Sequence, residues 1–180
     1  MSKKILIIGP SWLGDMIMAH IVFKILKQQN ESCIIDVLAP EWSRPILDSM
    51  PEISQSITMP IGHRVLALRK RFQLANSLSL NQYNRAIILT NTLKSALVPY
   101  WAKIPVRTGW LGEWRWGLLN DVRYLNKKRY PKMFQRYAAL CYPKDKILPD
   151  MLPIPTLTAS TKILLDTIDK FNLDIKKNLF

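Results

Sequence analysis

The sequence predicts an α/β protein built on a doubly wound, mostly parallel β-sheet. Short continuous aliphatic runs alternate with longer segments in which apolar residues recur at helical spacing, and turn residues separate the two kinds of segment. The chain has 180 residues, of which 48% are hydrophobic. That length and composition suit one domain of ~100–200 residues with a proper core, and they exclude a disordered chain.

The first predicted strand is the aliphatic run ILII at residues 5–8, which is typical of a strand buried on both faces of a parallel sheet. Gly9 and Pro10 end this run. The segment MIMAHIVFKILKQQ follows, and its apolar residues at helical spacing predict the first helix. The chain therefore begins with a strand, a tight turn and a helix.

The same two patterns predict four more strands and four more helices. The strands are CIIDVLAP, SITMP, RAIILT and VRTGW, and the helices are EWSRPILDSM, a stripe of Val65, Leu68, Phe72, Ala75 and Leu78, KSALVPYWA and KMFQRYAALCY. Asn91 or Thr92 is expected to cap the helix KSALVPYWA. Because ligands bind beyond the carboxyl ends of the strands in such a sheet, the loops that follow the strands are the candidate binding site.

Prolines mark the expected end of this domain. Pro143, Pro149, Pro153 and Pro155 predict a semi-rigid linker over residues 143–159. The sheet domain is therefore expected to span residues 1–142. An amphipathic pattern resumes after the linker, so residues 160–180 are expected to be the start of a further domain that the sequence does not contain.

Cysteine, histidine and hydropathy patterns exclude several classes of protein. Cys33 and Cys141 are too few and too far apart to indicate a metal cluster or a disulfide framework, and we interpret them as buried small hydrophobes. His20 and His63 have no companions at metal-ligand spacing. The first aliphatic run is too short for a signal peptide, and no run approaches the ~18–20 apolar residues that cross a bilayer. A soluble, cytoplasmic protein without a metal site is expected.

The charge is distributed very unevenly along the chain. Lys and Arg number 26 against 13 Asp and Glu, which gives a formal net charge of +13. Residues 53–136 hold 15 basic and 2 acidic residues and so account for the whole net charge, and no acidic residue lies between residues 53 and 112. Such a field concentrates an anionic partner. Nucleic acid, anionic lipid and a phosphorylated sugar all qualify.

The loop GPSWLGD at residues 9–15 joins the first strand to the first helix, where backbone N–H groups and the helix dipole favour an anion. It is neither a dinucleotide fingerprint nor a Walker A loop, because both need glycine or lysine positions that it lacks. Its glycines can simply permit a tight turn, and Asp15 can simply complement the helix dipole. Alternatively, an ionised Asp15 at the mouth of the sheet accepts a proton from a substrate hydroxyl.

The segment WLGEWRW places Trp110, Trp114 and Trp116 around Glu113 and Arg115. Aromatic faces beside a guanidinium suit both sugar rings and nucleobases. No nucleic-acid-binding signature accompanies them, and such a cluster is also common in cores and interfaces.

A second basic cluster follows the third predicted strand and consists of Arg64, Arg69, Lys70 and Arg71. Arg64 lies in the loop and is therefore placed to meet a phosphate. Arg69 and Arg71 flank the apolar stripe of their helix, so we interpret them as ordinary solvated residues.

Five stretches, in order from residue 5 to about residue 140, resemble the heptosyltransferase II group of the family 9 glycosyltransferases, which transfer heptose from ADP-heptose to lipopolysaccharide and have the two-domain GT-B fold. The stretches are ILIIGPSWLGDMIMA, IDVLAPEWSRPIL, MPIGH, NTLKSALVPYWAKIPVRTGWLGEWRWGLLND and MFQRYAAL. This resemblance implies a Rossmann-like, acceptor-binding N-terminal domain.

The resemblance also implies roles for individual residues. Asp15 matches the family's N-terminal aspartate, the proposed general base that deprotonates the acceptor hydroxyl, so that inversion needs one displacement and neither a metal nor another cofactor. Arg64, Lys94, Arg107 and Arg123 become candidates for binding acceptor anions. The remaining candidate substrate-binding residues are Ser11, Trp12, Gly14, Asn91 and Trp110.

The partners implied are an acceptor that carries Kdo and heptose on lipid A, ADP-heptose as donor substrate, and the anionic inner face of the inner membrane, with no nucleic acid. Family members continue through a second, donor-binding domain of similar size. The chain is therefore expected to be the acceptor half of a longer or split enzyme and inactive alone. The alternative is a basic module that binds nucleic acid or anionic membrane without catalysis.

Overall fold

A six-stranded sheet organises the part of the chain that the computed structural model describes, residues 3–62, 65–157 and 169–170. The strands are β1 (Lys4–Ile8), β2 (Ile34–Ala39), β3 (Gln55–Thr58), β4 (Arg85–Ile88), β5 (Val106–Trp110) and β6 (Asp121–Arg123). The helices are α1 (Leu13–Gln29), α2 (Arg44–Leu47, after a 3₁₀ turn at Glu41–Ser43), α3 (Leu68–Ser79), α4 (Leu93–Trp101) and α5 (Met133–Ala139).

All the strand pairs are parallel, and their order is β3-β2-β1-β4-β5-β6. β1 lies at the centre, where Ile5 pairs with Ile35 of β2 on one side and with Arg85 of β4 on the other. The strand order therefore reverses between β1 and β4, which is the switch point of a doubly wound sheet. The predicted α/β, Rossmann-like fold class is confirmed.

Helices cover both faces of the sheet, and each face has its own apolar core. On one face α1 and α5 contribute Met16, Phe23 and Ala138 to a cluster with Ile7 and Ile35. On the other face α3 and α4 pack side chains such as Leu78 and Val98 against Leu6 and Ile88 of the central strands. Because both faces of β1 are covered, its side chains are apolar without alternation, as the ILII run predicted.

β6 is a strand that the sequence pattern did not predict. Its three residues, DVR, contain one aliphatic side chain and no alternating or continuous apolar run. Asp121 fixes the strand instead, because its carboxylate accepts hydrogen bonds from Thr108 of β5 at 2.8 Å and from Arg123 at 2.9 Å.

The predicted apolar stripe of α3 is only partly buried. Val65 precedes the helix, and the side chains of Leu68 and Phe72 are about half exposed, whereas Ala75 and Leu78 are buried. The buried residues lie in the second half of α3, since only this half packs against the sheet. The spacing predicted the helix correctly but placed its buried face wrongly at the amino end.

The proline-rich segment that follows α5 forms neither helix nor strand up to residue 157. Leu148 and Leu152 nevertheless pack against the core on the α1 side, and Lys24 Nζ of α1 donates a hydrogen bond to Thr156 Oγ1 at 2.5 Å. The amphipathic pattern expected from residue 160 lies outside the described residues, except for residues 169–170.

Candidate functional site

A cleft opens at the carboxyl edge of the sheet, beside the switch point between β1 and β4. Its volume is about 1240 Å³. Such a cleft is larger than the ~300–1,000 Å³ of ordinary small-molecule sites. The connections that follow the first four strands form its walls, together with residues of α5 and Trp110 at the end of β5.

The turn between β1 and α1 forms the floor of the cleft. A Cβ at Gly9 would lie 3.0 Å from Met16 Cε and 3.2 Å from Ala39 Cβ, so glycine lets the turn pass close to the end of β2. α1 then begins at Leu13 without a hydrogen bond from a capping side chain. Asp15 lies in its first turn, is partly exposed, and lines the cleft. The turn therefore presents a carboxylate to a ligand at the centre of the sheet edge.

α5 supplies the wall beside Asp15. Burial first, and then the negative charge of Asp15, raise the pKa of Tyr137 above its ordinary range, so its phenol keeps its proton and can donate a hydrogen bond to a ligand. Arg136 also lines the cleft, and its guanidinium donates to the carbonyls of Tyr130 at 2.9 Å and Pro131 at 3.0 Å. These bonds hold a cation at the edge of the site.

The amino end of α4 forms the wall beside β4. Leu93 N–H donates to Glu113 Oε2 at 2.8 Å, so a carboxylate from the β5–β6 connection caps this helix. Thr92, one of the two residues expected to cap the helix, occupies the N-cap position, but its side chain makes no capping hydrogen bond. Gly112 permits the approach of Glu113, because a Cβ at Gly112 would lie 2.8 Å from the Asn91 carbonyl oxygen.

Arg115 is a fully buried cation directly behind this wall. Its guanidinium donates to the carbonyl oxygens of Thr90 at 2.7 Å and of Trp110, and to Ser95 Oγ at 3.3 Å. Burial lowers the pKa of Arg115 to about 10, which leaves it charged at neutral pH. Because Thr90, Ser95 and Trp110 line the cleft, Arg115 fixes the wall formed by the β4–α4 connection and the start of α4 to the end of β5.

Arg71 is a second buried cation at the cleft, and it overturns our interpretation of this residue as solvated. Its Nε donates to the Leu66 carbonyl at 2.7 Å, Nη2 to the Val65 carbonyl at 3.2 Å, and Nη1 to the Lys94 carbonyl at 3.4 Å. Arg71 therefore ties the segment before α3 to the amino end of α4. Arg69 is exposed, as expected.

The structure brings six of the predicted site residues together around the cleft: Ser11, Trp12, Asp15, Asn91, Lys94 and Trp110. Gly14 lies in the exposed first turn of α1, with no atom within 4 Å of where its Cβ would be. That open space leaves room for a ligand to approach the backbone. Arg64 and His63 lie outside the described residues.

Two predicted anion-binding residues lie away from the cleft. Arg107 is near the start of β5, at the opposite edge of the sheet, and donates to the carbonyls of Leu118 and Ile104, both at 2.7 Å. Arg123 is buried at the end of β6 and faces a smaller cavity beside Trp110. Neither residue lines this cleft, and their roles in binding anionic groups of the acceptor stay predictions.

Of the two alternatives for Trp110, Trp114 and Trp116, the aromatic platform does not form. Trp110 is buried, and its indole N–H donates to the Arg136 carbonyl at 3.1 Å, whereas Trp114 is 88% exposed and Trp116 is 61% exposed. Glu113 and Trp114 both have positive φ, at 34° and 52°, so the chain turns sharply there. The three indoles therefore lie in different environments and do not form one stacking surface.

Sequence reasoning missed four residues of the cleft: Trp42, Arg71, Arg136 and Tyr137. Arg136 and Tyr137 lie within the MFQRYAAL stretch, so they were visible as part of a pattern but had no assigned role. Which face of that helix meets the cleft depends on how α5 packs against α1, and no local pattern encodes this.

Among the residues that the structure describes, no three His, Cys, Asp or Glu side chains are grouped so that they could hold a metal ion. Over the same residues, no helix has both the length and the apolar character needed to span a bilayer.

Comparisons with known proteins agree with this architecture. The profile of glycosyltransferase family 9 (heptosyltransferase) matches residues 71–179. Lipopolysaccharide heptosyltransferase 2 of Escherichia coli strain K12 is 46% identical over 179 residues, which are 97% of this chain and 51% of that protein. Lipooligosaccharide heptosyltransferase 2 of Haemophilus influenzae is 50% identical over 171 residues, which are 93% of this chain and 49% of that protein.

Solved structures give the same result. The structure of E. coli ADP-heptose lps heptosyltransferase II superposes with a TM-score of 0.85 at 46% identity, over 96% of this chain and 51% of that one. A family 9 glycosyl transferase from Veillonella parvula superposes with a TM-score of 0.75 at 12% identity, over 97% of this chain and 52% of that one, and shares the fold. The chain thus spans about half the length of the relatives that it matches.

Proposed function

Because this chain belongs to glycosyltransferase family 9, we propose that it carries the acceptor side of a heptosyltransferase. The proposed reaction transfers L-glycero-D-manno-heptose from ADP-heptose to the first heptose of the lipopolysaccharide inner core. The names of relatives at 46% to 50% identity support this substrate class.

The observation that carries the proposal is the position of Asp15. Its carboxylate lies in the first turn of α1, beside the switch point, and lines a cleft that also contains Lys94 and Arg136. A partly exposed carboxylate at this place can contact an acceptor hydroxyl while the cations neutralise the acidic groups of the same acceptor.

The proposed chemistry is one displacement at the anomeric carbon of the donor heptose. The acceptor hydroxyl oxygen attacks that carbon as the bond from the carbon to the ADP oxygen breaks, and ADP leaves with the electron pair. The hydroxyl proton passes to the Asp15 carboxylate, which acts as general base. Tyr137 stays protonated and is proposed to position the acceptor through a hydrogen bond, since its phenol is buried beside Asp15.

Anionic groups of the acceptor are proposed to lie toward the basic side of the cleft. The inner core presents Kdo carboxylates and phosphates, and Lys94 is the partly exposed cation on the α4 wall. Arg64 remains a candidate from its place in the loop before α3. Ser11, Trp12, Gly14, Asn91 and Trp110 are proposed to contact the sugar.

The relatives contain a second half that this chain does not match, and we propose that donor binding needs the counterpart of that half. A donor held by one side only is not oriented for attack, so the described half is expected to bind acceptor weakly and to transfer no heptose alone. The site of action is proposed to be the cytoplasmic face of the inner membrane, where the lipid-linked acceptor is anchored.

The test measures ADP release from ADP-heptose with a heptose-bearing inner-core acceptor, using the 180-residue chain with and without a separately expressed C-terminal domain of a relative. Release only in the presence of the second domain is expected. The Asp15→Asn variant should then lower the rate at least about 100-fold while acceptor binding is kept, because a general base contributes about 10²–10⁴-fold.

Asp150→Asn is the matched control, since Asp150 is exposed and does not line the cleft. It should leave the rate unchanged. A rate that is the same for Asp15→Asn and the parent chain would contradict the proposed role of Asp15. Turnover by the chain alone would contradict the proposal that transfer needs a second, donor-binding half. A basic binding module without catalysis predicts no ADP release under either condition.

A further inference from the structure

Four large apolar side chains are half exposed in the segment that leads into α3 and in the first turns of that helix, and one of them, Phe72, packs edge-on against Trp101 of α4. Val65, Leu66, Leu68 and Phe72 are each about half exposed, and we call these four residues the apolar ridge. They fall within eight consecutive residues at the carboxyl edge of the sheet. Apolar residues scattered singly over a surface need no explanation, but a contiguous group indicates a contact surface.

The backbone beneath the ridge is held in place by buried structure. Arg71, itself only 4% exposed, donates hydrogen bonds to the carbonyls of Leu66 and Val65. Ala67, immediately before α3, adopts a left-handed conformation at φ 41° and ψ 58°, which is costly for a residue with a Cβ. The hydrogen bonds of the buried guanidinium thus hold the segment in an arrangement that leaves the ridge exposed, despite the strained backbone at Ala67.

Basic residues accompany the ridge, and acidic residues do not. Arg69 and Lys70 are exposed on the first turn of α3, between the ridge residues Leu68 and Phe72. The chain has no acidic residue from 53 to 112, so the segment that carries the ridge contains basic but no acidic side chains. The exposed carboxylate of Glu41 lines the neighbouring cleft. Aliphatic side chains between exposed cations are the pattern of a segment that lies in the headgroup region of an anionic bilayer.

The ridge also lies next to the mouth of the cleft. Ile61 and Gly62, which precede it in the chain, line the cleft, and so does Arg71 beneath it. Trp12 and Trp42 at the same edge are 68% and 46% exposed and line the cleft as well. Indole rings favour the membrane interface, because one end is apolar and the other polar. A bilayer that contacts the ridge would therefore meet the entrance of the cleft.

We infer that the apolar ridge, with Arg69 and Lys70, is the surface by which this protein docks on an anionic lipid bilayer, with its cleft facing lipid-anchored acceptor. The inference rests on the proposed function for the identity of that acceptor, but the docking itself is independent of it. A second copy of the chain is a poor partner for the ridge, because each copy carries a net charge of +13 and the two copies repel each other. Nucleic acid would need the cations and not the aliphatic side chains.

The first experiment places a fluorescent probe on the ridge. Cys33 and Cys141 are buried, so an introduced cysteine can be labelled selectively with the environment-sensitive dye NBD. We expect the emission of NBD on Leu68→Cys to shift to the blue when vesicles of phosphatidylglycerol and phosphatidylethanolamine are added. Leu80→Cys is the matched control, since Leu80 is 83% exposed and follows the other end of α3. Its emission should stay unchanged.

The second experiment measures co-sedimentation with the same vesicles. Replacing both Leu66 and Leu68 by Ser should weaken binding at least tenfold, because the aliphatic groups would no longer enter the bilayer. Replacing Arg69 and Lys70 by Gln should weaken it about 30-fold, since each basic residue near an anionic surface contributes about 1 kcal/mol. Replacing Lys144 and Lys146 by Gln removes the same charge elsewhere and should change binding by less than about threefold.

Several outcomes would overturn the inference. Unchanged vesicle binding after the Leu66 and Leu68 substitutions would show that the ridge does not contact the bilayer. An NBD shift that grows with protein concentration in the absence of vesicles would assign the ridge to a second copy. Binding to single-stranded DNA with no binding to vesicles would assign the cations to nucleic acid.

A separate assay distinguishes this inference from the proposed function. If a reconstituted enzyme transfers heptose to a deacylated, water-soluble acceptor but the chain does not bind vesicles, the docking surface is wrong and the proposed activity stands. If the chain binds vesicles through the ridge but no transfer occurs, the docking surface stands and the proposed activity fails.

Discussion

Buried guanidinium groups shape the cleft at the scale of single residues. Arg71 and Arg115 each direct several N–H donors at backbone carbonyl oxygens of separate loops. A buried charge is costly unless it is hydrogen-bonded, so each arginine favours the arrangement in which its N–H groups meet these carbonyl oxygens. Within the described residues, only Nε of Arg115 among the donors of these two side chains is buried without a hydrogen-bond partner. The walls of the cleft are therefore fixed before any ligand arrives.

Two glycines near the cleft should respond in opposite ways to the same substitution. Gly112→Ala is expected to cost about 1–3 kcal/mol in the free energy of unfolding, because its Cβ would lie 2.8 Å from the Asn91 carbonyl oxygen. Gly14→Ala should leave stability unchanged or raise it by up to about 1 kcal/mol, since no atom lies within 4 Å and the residue is helical. Urea unfolding of the two variants measures both effects, and equal stabilities would contradict the packing at Gly112.

Tyr83 should make stability fall at alkaline pH. Burial, followed by the hydrogen bond and charge of Asp36, raises the pKa of Tyr83 above its ordinary value of 10.0. The folded protein therefore keeps a proton that the unfolded chain releases, so this contribution is complete below pH about 10 and is lost as the pH rises above it. Tyr83→Phe should cost about 1.5–3 kcal/mol at pH 7, and the difference from the parent should shrink above pH 10.

Urea titrations at several pH values measure this difference. Tyr124→Phe is the control, because Tyr124 is 60% exposed, and it should be neutral throughout. A constant difference between Tyr83→Phe and the parent from pH 7 to pH 11 would contradict the assignment.

At the scale of elements, the edge strand β6 depends on electrostatics more than on apolar packing. The Asp121 carboxylate accepts hydrogen bonds from Thr108 and Arg123, and Arg85 Nη2 of β4 lies 3.7 Å away. One carboxylate thereby connects three neighbouring strands. Edge strands this short have few backbone hydrogen bonds of their own, so side-chain contacts such as those of Asp121 decide whether they stay paired.

Asp121→Asn should destabilise the protein at neutral pH and remove part of its acid sensitivity. Burial acts to raise the pKa of Asp121, but the hydrogen bonds from Arg123 and Thr108 and the charges of Arg123 and Arg85 outweigh it, so the pKa lies below its ordinary value of 3.8. The stabilisation is thus present above pH about 4 and is lost as the pH falls through the lowered value. We expect a loss of about 1.5–3 kcal/mol at pH 7 that shrinks as the pH falls below about 4, measured by urea unfolding. Asp150→Asn, an exposed control, should show no change at either pH.

Local sequence patterns predicted the elements that bury apolar runs. They failed where contacts between distant parts of the chain determine whether an element forms or a side chain is buried. β1, with four aliphatic residues in a row, follows from the sequence directly. β6 does not, because its pairing depends on Asp121 meeting Thr108 of β5 and Arg85 of β4. The burial of Arg71 is equally invisible in sequence, since its hydrogen-bond acceptors are carbonyls that only the folded chain brings together.

At the scale of the whole molecule, one of the two apolar cores encloses both thiols. Cys33 and Cys141 belong to the cluster on the α1 and α5 face, and both are buried. Burial raises the pKa of Cys141 to about 12, and burial also raises that of Cys33 although Lys27 opposes it. Neither thiol is therefore a reactive thiolate in the native state.

Native protein at pH 8 should accordingly react with less than about 0.1 equivalent of Ellman's reagent in a minute, and denatured protein should react with two. The rate of slow labelling should follow the global stability, so the Gly112→Ala variant should label faster than Gly14→Ala. Immediate reaction of one thiol in the native protein would show that the core on that face is open.

The position of the cleft followed from the predicted alternation of strands and helices, because ligands bind at the carboxyl edge of such a sheet. Asp15 was found in the sequence for the same reason, since it follows the first strand by seven residues. Arg107 lies near the first residue of β5, at the edge of the sheet opposite the cleft, and its role in binding the acceptor stays a prediction. Tyr137 was missed because only the packing of α5 on α1 brings it to Asp15.

The central position of β1 has a consequence for synthesis of the chain on the ribosome. Ile5 pairs with Arg85, so one edge of β1 waits for a partner that is translated 80 residues later. At about 5–20 residues per second, that edge stays unpaired for roughly 4–16 s while β2 already occupies the other side. The nascent chain therefore exposes an aliphatic strand edge for seconds, and chaperones that bind such edges have their opportunity during that interval.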